Sequence, residues 1–216
     1  MFLSRIDLNP HRRGARALLA SPQRLHAAVL AAFPQDRAAG RVLWRIDEGG
    51  HDALLYVVSP DKPDLNHVVE EAGRPEYGWQ TREYGPFLDR LAPGQRWAFR
   101  LTANPVHNVK VPGSDRGRRY GHVTVAQQTT WLVERRAGAS GFAVAENTGG
   151  GTDLVVRARR TLRFDRRGRT VTLATAVFEG TLTVTDADAL RAALTGGIGP
   201  AKGYGCGLLT LAAPSS

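Results

Sequence analysis

The strongest constraint on the fold is an order of strands and helices that occurs twice along the chain. In the first half, residues 2–7 alternate apolar and polar side chains, as a half-buried strand does. A helix is predicted from Ser21-Pro22, because serine caps a helix and proline fits its first position. Strands are predicted at 41–46, 53–58 and 96–103, and the region before the last of them is either mostly loop or holds a weak helix near 65–71. This order is ferredoxin-like.

The second half has a helix, two or three strands, a helix and a strand. Asp186 is a good cap for its last helix. We therefore predict an α+β chain of two tandem ferredoxin-like (RRM-like) βαββαβ domains, with residues 1–112 in the first and 113–216 in the second. The elements predicted for the second half are a helix at 125–137, strands at 142–144, 154–164 and 169–179, a helix at 187–195 and a strand at 208–211.

The charge of the chain points to a polyanionic partner. Lysine and arginine number 29 against 20 acidic residues, a net charge of +9, and only three of the 29 cations are lysines. A forked guanidinium suits phosphate, although GC-rich coding also favours arginine over lysine. GC-rich coding does not explain the excess of cations over acids.

Several protein classes are excluded by the same composition. No stretch approaches the roughly 18 apolar residues of a membrane helix, so we expect no membrane partner. The six histidines are never closer than 15 residues, which leaves no metal-binding pair, and we expect no cofactor. A single cysteine, Cys206, fits a reducing cytoplasm.

A glycine-dense loop precedes the last strand. Five of the eleven residues from Gly197 to Gly207 are glycine. The loop lacks the Gly-Lys-Ser/Thr ending of a phosphate loop and runs from helix to strand, so a nucleotide site is not indicated. It is either a tight structural connection or a place where another backbone approaches closely.

The first helix carries a histidine at the edge of its apolar stripe. His26 directly follows the core residue Leu25, which places it about 100° around the helix. Such a histidine is often only a solvated or capping side chain. The alternative is catalysis, because imidazole titrates near neutral pH and transfers protons.

The predicted hairpin of the second half is strongly basic. It holds seven arginines between residues 157 and 169 and one acid, Asp165. Strand alternation would put Arg157 and Arg159 on one face and Arg160 on the other. The hairpin is either a charged edge that prevents aggregation or a surface for an RNA duplex. Arg116, Arg118 and Arg119 in the connector are either further backbone contacts or part of a tether.

Four stretches together resemble one protein family. The string Gly-Ile-Gly-Pro-Ala-Lys-Gly-Tyr-Gly-Cys-Gly-Leu-Leu from Gly197 is similar to the C-terminal signature of the CasE family of type I-E precursor-CRISPR-RNA endoribonucleases. The start Met-Phe-Leu-Ser-Arg, the run from Arg100 to Val106 and the run from Val177 to Val184 agree with it in order and spacing. The resemblance covers residues 1 to about 211.

The resemblance implies a metal-independent ribonuclease. It would cleave CRISPR repeat transcripts at the base of a stem-loop, keep the mature guide RNA and act in the type I-E surveillance complex, Cascade. It makes His26 the catalytic residue, with Gln23 where some relatives have tyrosine, and we add Lys110 as a catalytic candidate. It also implies a basic hairpin that grips the stem. The expected RNA-binding residues are Arg24, Arg157, Arg159, Arg160, Arg163, Arg166, Arg167, Gly199, Lys202, Gly203, Gly205 and Gly207.

Two other functions fit the same sequence features. One is a non-cleaving RNA-binding subunit with the same fold, which would bind the stem-loop and leave it intact. The other is a small basic domain associated with the ribosome, which would show no preference for the hairpin. A cleavage assay on a stem-loop RNA separates all three.

Overall fold

The structure is a computed structural model that describes residues 1–36, 39–49, 51–110, 118–166 and 168–214. Its first sheet is antiparallel, with strand order β2-β3-β1-β4. Helices connect these strands in βαββαβ order. The elements are β1 (Phe2–Leu8), α1 (Arg13–Leu19), α2 (Pro22–Leu30), β2 (Leu43–Gly49), β3 (Asp52–Ser59), α3 (Asn66–Ala72) and β4 (Trp79–Glu83), followed by α4 (Gly85–Asp89).

The second sheet has the same topology. Its strand order is β11-β5-β10-β8, and β9 pairs with β10 as the other arm of a long hairpin. The elements are β5 (Arg96–Ala103), a small hairpin of β6 (Val106–Val109) and β7 (Arg118–Gly121), α5 (Val125–Leu132), β8 (Phe142–Val144), β9 (Leu154–Arg166), β10 (Arg169–Val184), α6 (Ala187–Gly196) and β11 (Leu209–Ala212). The predicted α+β fold of tandem ferredoxin-like domains is confirmed.

The buried apolar side chains form two cores, and the second also includes residues of the first sheet. Alternation along β1 buries Ile6 and Leu8 against Leu25 and Val29 of α2, because residues four apart share one face of a helix. Phe178 of β10 is buried in the second core, together with side chains of α5, β8 and α6. Burial of these apolar faces is the main source of stability in both halves.

Two predictions of strand position are wrong. Residues 96–103 form β5, but this strand pairs with β10 and β11 and so opens the second sheet. The fourth strand of the first sheet is Trp79–Glu83, in the region predicted as mostly loop. Alternation identifies a strand but not its partner, which is the reason for the first error. The predicted boundary between residues 112 and 113 lies outside the described residues.

A buried arginine joins the two sheets. Arg45 of β2 is 2% exposed and pairs with Asp47 at 2.7 Å. Its guanidinium also donates to the carbonyls of Arg100, at 2.8 Å, and Leu208, at 3.0 Å, which belong to the second sheet region. These bonds satisfy a charge that would otherwise be costly to bury, and they tie β2 to the neighbouring sheet.

Candidate active site

Helix α2 presents the candidate catalytic residue. Its N-terminus is capped by Ser21, whose hydroxyl accepts a hydrogen bond from the backbone N–H of Arg24 at 3.3 Å. His26 is half-buried beside the core residue Leu25, while Gln23 and Arg24 are exposed on the preceding turn. The predicted helix, its cap and the border position of His26 are all present.

The imidazole of His26 is held by a tryptophan from β2. The indole Nε1–H of Trp44 donates to Nδ1 of His26 at 3.2 Å, and the two rings are stacked with centroids 6.5 Å apart. An indole nitrogen only donates, so Nδ1 accepts and the neutral imidazole carries its proton on Nε2. Trp44 is 3% exposed, as a core residue of a strand is. Nothing in the alternation of β2 indicated that its N–H faces α2.

The glycine loop folds over this pair. A short 3-10 turn, Lys202–Tyr204, packs beside α2, and a Cβ at Gly203 would lie 3.4 Å from Nε2 of His26. Gly205 has φ +78°, and a Cβ there would lie 2.7 Å from the Trp44 ring. The structure therefore places Gly203 against His26 and Gly205 against Trp44.

Other residues of the glycine loop have separate places. The N–H of Gly207 donates to the carbonyl of Thr102 at 2.7 Å, which anchors the loop to β5. Gly199 and Lys202 line a groove on another side of the loop. Burial lowers the pKa of Lys202, and the nearby cations Arg41 and Arg136 lower it further.

A β-bulge in the arginine hairpin decides which of its side chains face the site. Arg157 pairs with Val177 and Arg160 with Thr175, so Ala158 and Arg159 together stand opposite one residue of β10. Ala158 adopts φ 44°, in the left-handed region. Because directly opposed residues share a face, Arg157 and Arg160 project from the same side of the sheet. The expectation that Arg160 points to the opposite face from Arg157 is wrong, since the bulge shifts the alternation by one residue.

The cleft between α2 and the hairpin has a volume of about 190 Å³. Its lining includes Leu25, Trp44, Arg160 and Tyr204, the residues that surround the turn over His26. The rings of Tyr204 and Phe164 pack with centroids 4.8 Å apart, which connects the glycine loop to β9. The cleft therefore combines apolar walls with two guanidinium groups, those of Arg100 and Arg160, and the carboxylate of Glu48, next to the helix that carries His26.

The arginines of the hairpin have protein partners. Arg160 pairs with Glu48 of β2 at 2.8 Å and Arg157 with Glu179 of β10 at 3.2 Å. Arg159 donates to the carbonyl of Val123 at 3.1 Å. The side chains of Arg157 and Arg160 remain 66% and 56% exposed, so they are accessible for exchange with an anionic ligand.

The remaining predicted site residues are not gathered at His26. Arg163 is exposed and opposes Thr172, on the face opposite to Arg160. The side chain of Arg166 and the whole of Arg167 lie outside the described residues. Lys110 is exposed after β6, and no hydrogen bond or ion pair joins it to the described residues around His26.

In the described part of the chain, no group of three or more His, Cys, Asp or Glu side chains is placed to hold a metal ion. No helix in the described ranges is long and apolar enough to cross a bilayer.

Comparison with known proteins identifies the family. Residues 1–213 match the family described as CRISPR associated protein. The chain belongs to this CRISPR-associated family. It is 33% identical over 221 residues to the CRISPR-associated endoribonuclease Cse3 of Thermus thermophilus, an alignment that covers 98% of this chain and all of Cse3.

A second relative and a solved structure of Cse3 are similar along their whole length. The CRISPR system Cascade subunit CasE of Escherichia coli is 28% identical, with 98% of this chain and 99% of CasE covered. A solved structure of CRISPR endoribonuclease Cse3 bound to a 19-nucleotide RNA superposes with a TM-score of 0.83 at 30% identity and covers 98% of this chain and 100% of that one. The family resemblance read from the sequence is confirmed.

Proposed function

We propose that this CRISPR-associated protein is a metal-independent endoribonuclease that cleaves CRISPR repeat transcripts at the base of their stem-loop. The observation that carries the proposal is a half-buried imidazole, His26, held between Trp44 and a glycine turn at the edge of an arginine-lined cleft. The similar Cse3 protein is named an endoribonuclease and has been solved bound to RNA.

The reaction requires two proton transfers and no metal. The 2′-oxygen attacks the adjacent phosphorus, the new O2′–P bond forms, and the P–O5′ bond breaks. The products are a 2′,3′-cyclic phosphate and a 5′-hydroxyl. The 2′-hydroxyl loses a proton and the departing 5′-oxygen gains one, and an imidazole is suited to either transfer near neutral pH.

His26 acts through Nε2, because Nδ1 accepts the Trp44 hydrogen bond. In the acid role, the ring takes up a proton on Nδ1, gives up the Trp44 hydrogen bond, and passes its Nε2 proton to the 5′-oxygen, while the 2′ proton goes to solvent. The base role does not fit this contact, because an Nε2 that already carries the proton has no lone pair for the 2′ proton. The acid role places the scissile phosphate beside Gly203, which has no side chain to fill the space next to Nε2.

Cations of the site stabilise the charge that builds up on the phosphate oxygens. Arg160 lines the cleft and is the candidate for this contact, for which it must exchange Glu48 for the phosphate. Gln23 takes the place of the tyrosine of some relatives, and its amide orients a phosphate oxygen by hydrogen bonding but does not act as an acid. Arg24, Lys110 and Lys202 are secondary candidates, and the hairpin arginines bind the stem.

We further propose that the protein keeps the mature guide RNA and joins a type I-E Cascade complex in the cytoplasm. The similar CasE protein is named a Cascade subunit. The single cysteine, Cys206, is buried, and burial raises the pKa of its thiol to about 12, so it fits a reducing compartment and takes no part in chemistry.

The decisive experiment compares wild type with His26→Ala on a labelled repeat RNA in EDTA. We expect wild type to cleave once at the stem base and His26→Ala to lose at least about a hundredfold in rate, the scale of general acid–base catalysis. Unchanged cleavage by the variant removes His26 from the mechanism. A wild type that binds the RNA and leaves it intact favours the non-cleaving subunit instead.

A further inference from the structure

A second groove lies on the other side of the glycine loop from the cleft. It has a volume of about 660 Å³ and is lined by residues 197–202 and by three arginines from other elements. Those arginines are Arg41 before β2, Arg119 of β7 and Arg136 after α5, and with Lys202 they make four cations. No acidic residue lines the groove within the described part of the chain.

The charges of this cationic groove are not neutralised by the protein. None of its four cations forms an ion pair among the described residues, in contrast to the hairpin residues Arg157 and Arg160. Arg41 and Arg136 lower the pKa of Lys202, after the larger effect of burial, which shows that these charges repel one another. A bound anion would remove that repulsion and stabilise all four.

Arg136 is held in place for such a contact. It lies on a π-helical turn, Val133–Ala137, that continues α5, and single π turns occur often at functional sites. Its guanidinium stacks over the ring of Trp131 at 5.4 Å, and its Nε is buried without a partner. Gly199 also packs on Trp131, where a Cβ would lie 3.0 Å from the ring. One buried indole therefore positions both an arginine and a backbone segment of the groove.

The groove adjoins the candidate active site along the glycine loop. Lys202 lines the groove and begins the 3-10 turn whose next residue, Gly203, lies beside Nε2 of His26. The cleft with Arg160 lies at Tyr204 and Gly205, the other end of the same turn. A nucleic-acid strand that passes His26 therefore has arginines on both sides of the reacting bond.

We propose that the cationic groove binds backbone phosphates of the single-stranded RNA that adjoins the cleaved bond. This inference rests on the proposed function, because it assigns the duplex to the hairpin side of His26 and the unpaired flank to the groove. An acid-free groove with three guanidinium groups suits successive phosphates, which guanidinium binds in bidentate fashion. The absence of an exposed aromatic platform in its lining, within the described residues, fits backbone contact rather than base stacking.

The test measures binding of uncleavable repeat RNA by the full chain. The RNAs carry 2′-deoxynucleotides around the stem base and are either trimmed to the stem-loop or extended by single-stranded nucleotides on the 5′ side or the 3′ side. We expect wild type to bind one of the two extended RNAs about tenfold more tightly than the trimmed RNA. The variant Arg41→Gln/Arg136→Gln should lose this tenfold gain and bind the trimmed RNA as wild type does. The slope of affinity against salt should also fall by about 0.7 per lost phosphate contact.

Arg82→Gln/Arg90→Gln is the matched control for two lost charges, because both are exposed arginines that do not line the groove. It should keep the gain from the extension. The inference fails if wild type gains nothing from either extension, or if Arg41→Gln/Arg136→Gln keeps the gain. Excess inorganic phosphate that competes equally with trimmed and extended RNA also overturns it, because the groove would then bind a free anion and not the strand. If the wild-type protein does not bind the trimmed stem-loop RNA at all, that result instead contradicts the proposed function.

Discussion

Trp44 donates a hydrogen bond from its indole Nε1 to Nδ1 of His26 across 3.2 Å, from a strand of the first sheet to the helix that precedes it. A protonated imidazole has donors on both nitrogens, so it cannot accept this bond. The contact therefore favours the neutral ring with its proton on Nε2. It sets the orientation of the ring and opposes its protonation at the same time.

Trp44→Phe should move the pH–rate profile of RNA cleavage to higher pH. The phenyl ring keeps most of the packing but removes the donor that only the neutral imidazole accepts. One hydrogen bond is worth about 1 kcal/mol, which corresponds to a displacement of about 0.7 pH units. Single-turnover rates between pH 5 and 9 measure the displacement. A profile that only falls in amplitude, with no movement along the pH axis, would contradict the role of the indole N–H.

Removal of the Glu48 carboxylate, which forms an ion pair with Arg160, should strengthen RNA binding. Glu48 pairs with Arg160 at 2.8 Å, and RNA must displace it before the guanidinium contacts a phosphate. Exposed pairs are worth about 0–1 kcal/mol, so Glu48→Gln should improve the Kd by about two- to fourfold. Glu76→Gln removes the same charge from an exposed residue between α3 and β4 and serves as the control. An equal gain in both variants would mean that only net charge matters.

Two glycines of the loop should respond differently to alanine. Gly205 has φ +78°, and its Cβ would lie 2.7 Å from the ring of Trp44, so Gly205→Ala should lower the free energy of unfolding by about 1–3 kcal/mol. Gly203 has room for a methyl group 3.4 Å from Nε2 of His26. Gly203→Ala should therefore keep the thermal stability of the wild type and slow cleavage by about tenfold, because the methyl obstructs the substrate.

Thermal denaturation and single-turnover cleavage of the two variants are measured side by side. Wild-type cleavage by Gly203→Ala would show that the substrate does not approach His26 over this turn. Wild-type stability of Gly205→Ala would contradict the close packing of the loop on Trp44.

The sequence indicates local structure more completely than it indicates the site. Ser21, Leu25 and Val29 predict α2 and the border position of His26, because a cap and a four-residue repeat depend on neighbours in the chain. The register between strands is not local. The bulge at Ala158, which turns Arg160 into the cleft, involves an alanine that no sequence pattern distinguishes. The mostly exposed strand Trp79–Glu83 shows no buried alternation, and the groove cations Arg41, Arg119 and Arg136 come from separate parts of the sequence.

The affinity for RNA should fall with rising pH through Lys202. Burial and then the cations Arg41 and Arg136 lower the pKa of Lys202 from its usual value in the free protein. A phosphate in the groove favours the ammonium form and raises that pKa again, so the complex binds a proton that the free protein has begun to lose. RNA affinity is therefore greatest below the lowered pKa and falls as pH rises through it. Lys202→Arg, which stays charged, should abolish this fall.

The measurement is the ratio of Kd values for wild type and Lys202→Arg at each pH from about 7 to 10, the range in which a lysine of lowered pKa titrates, with the same uncleavable RNA. The ratio cancels the titration of the RNA bases, which is common to both proteins. Lys62→Arg, at an exposed lysine of the first half, is the control and should follow wild type throughout. A wild-type to Lys202→Arg ratio that stays constant across this range would show that the ammonium of Lys202 does not contact the RNA.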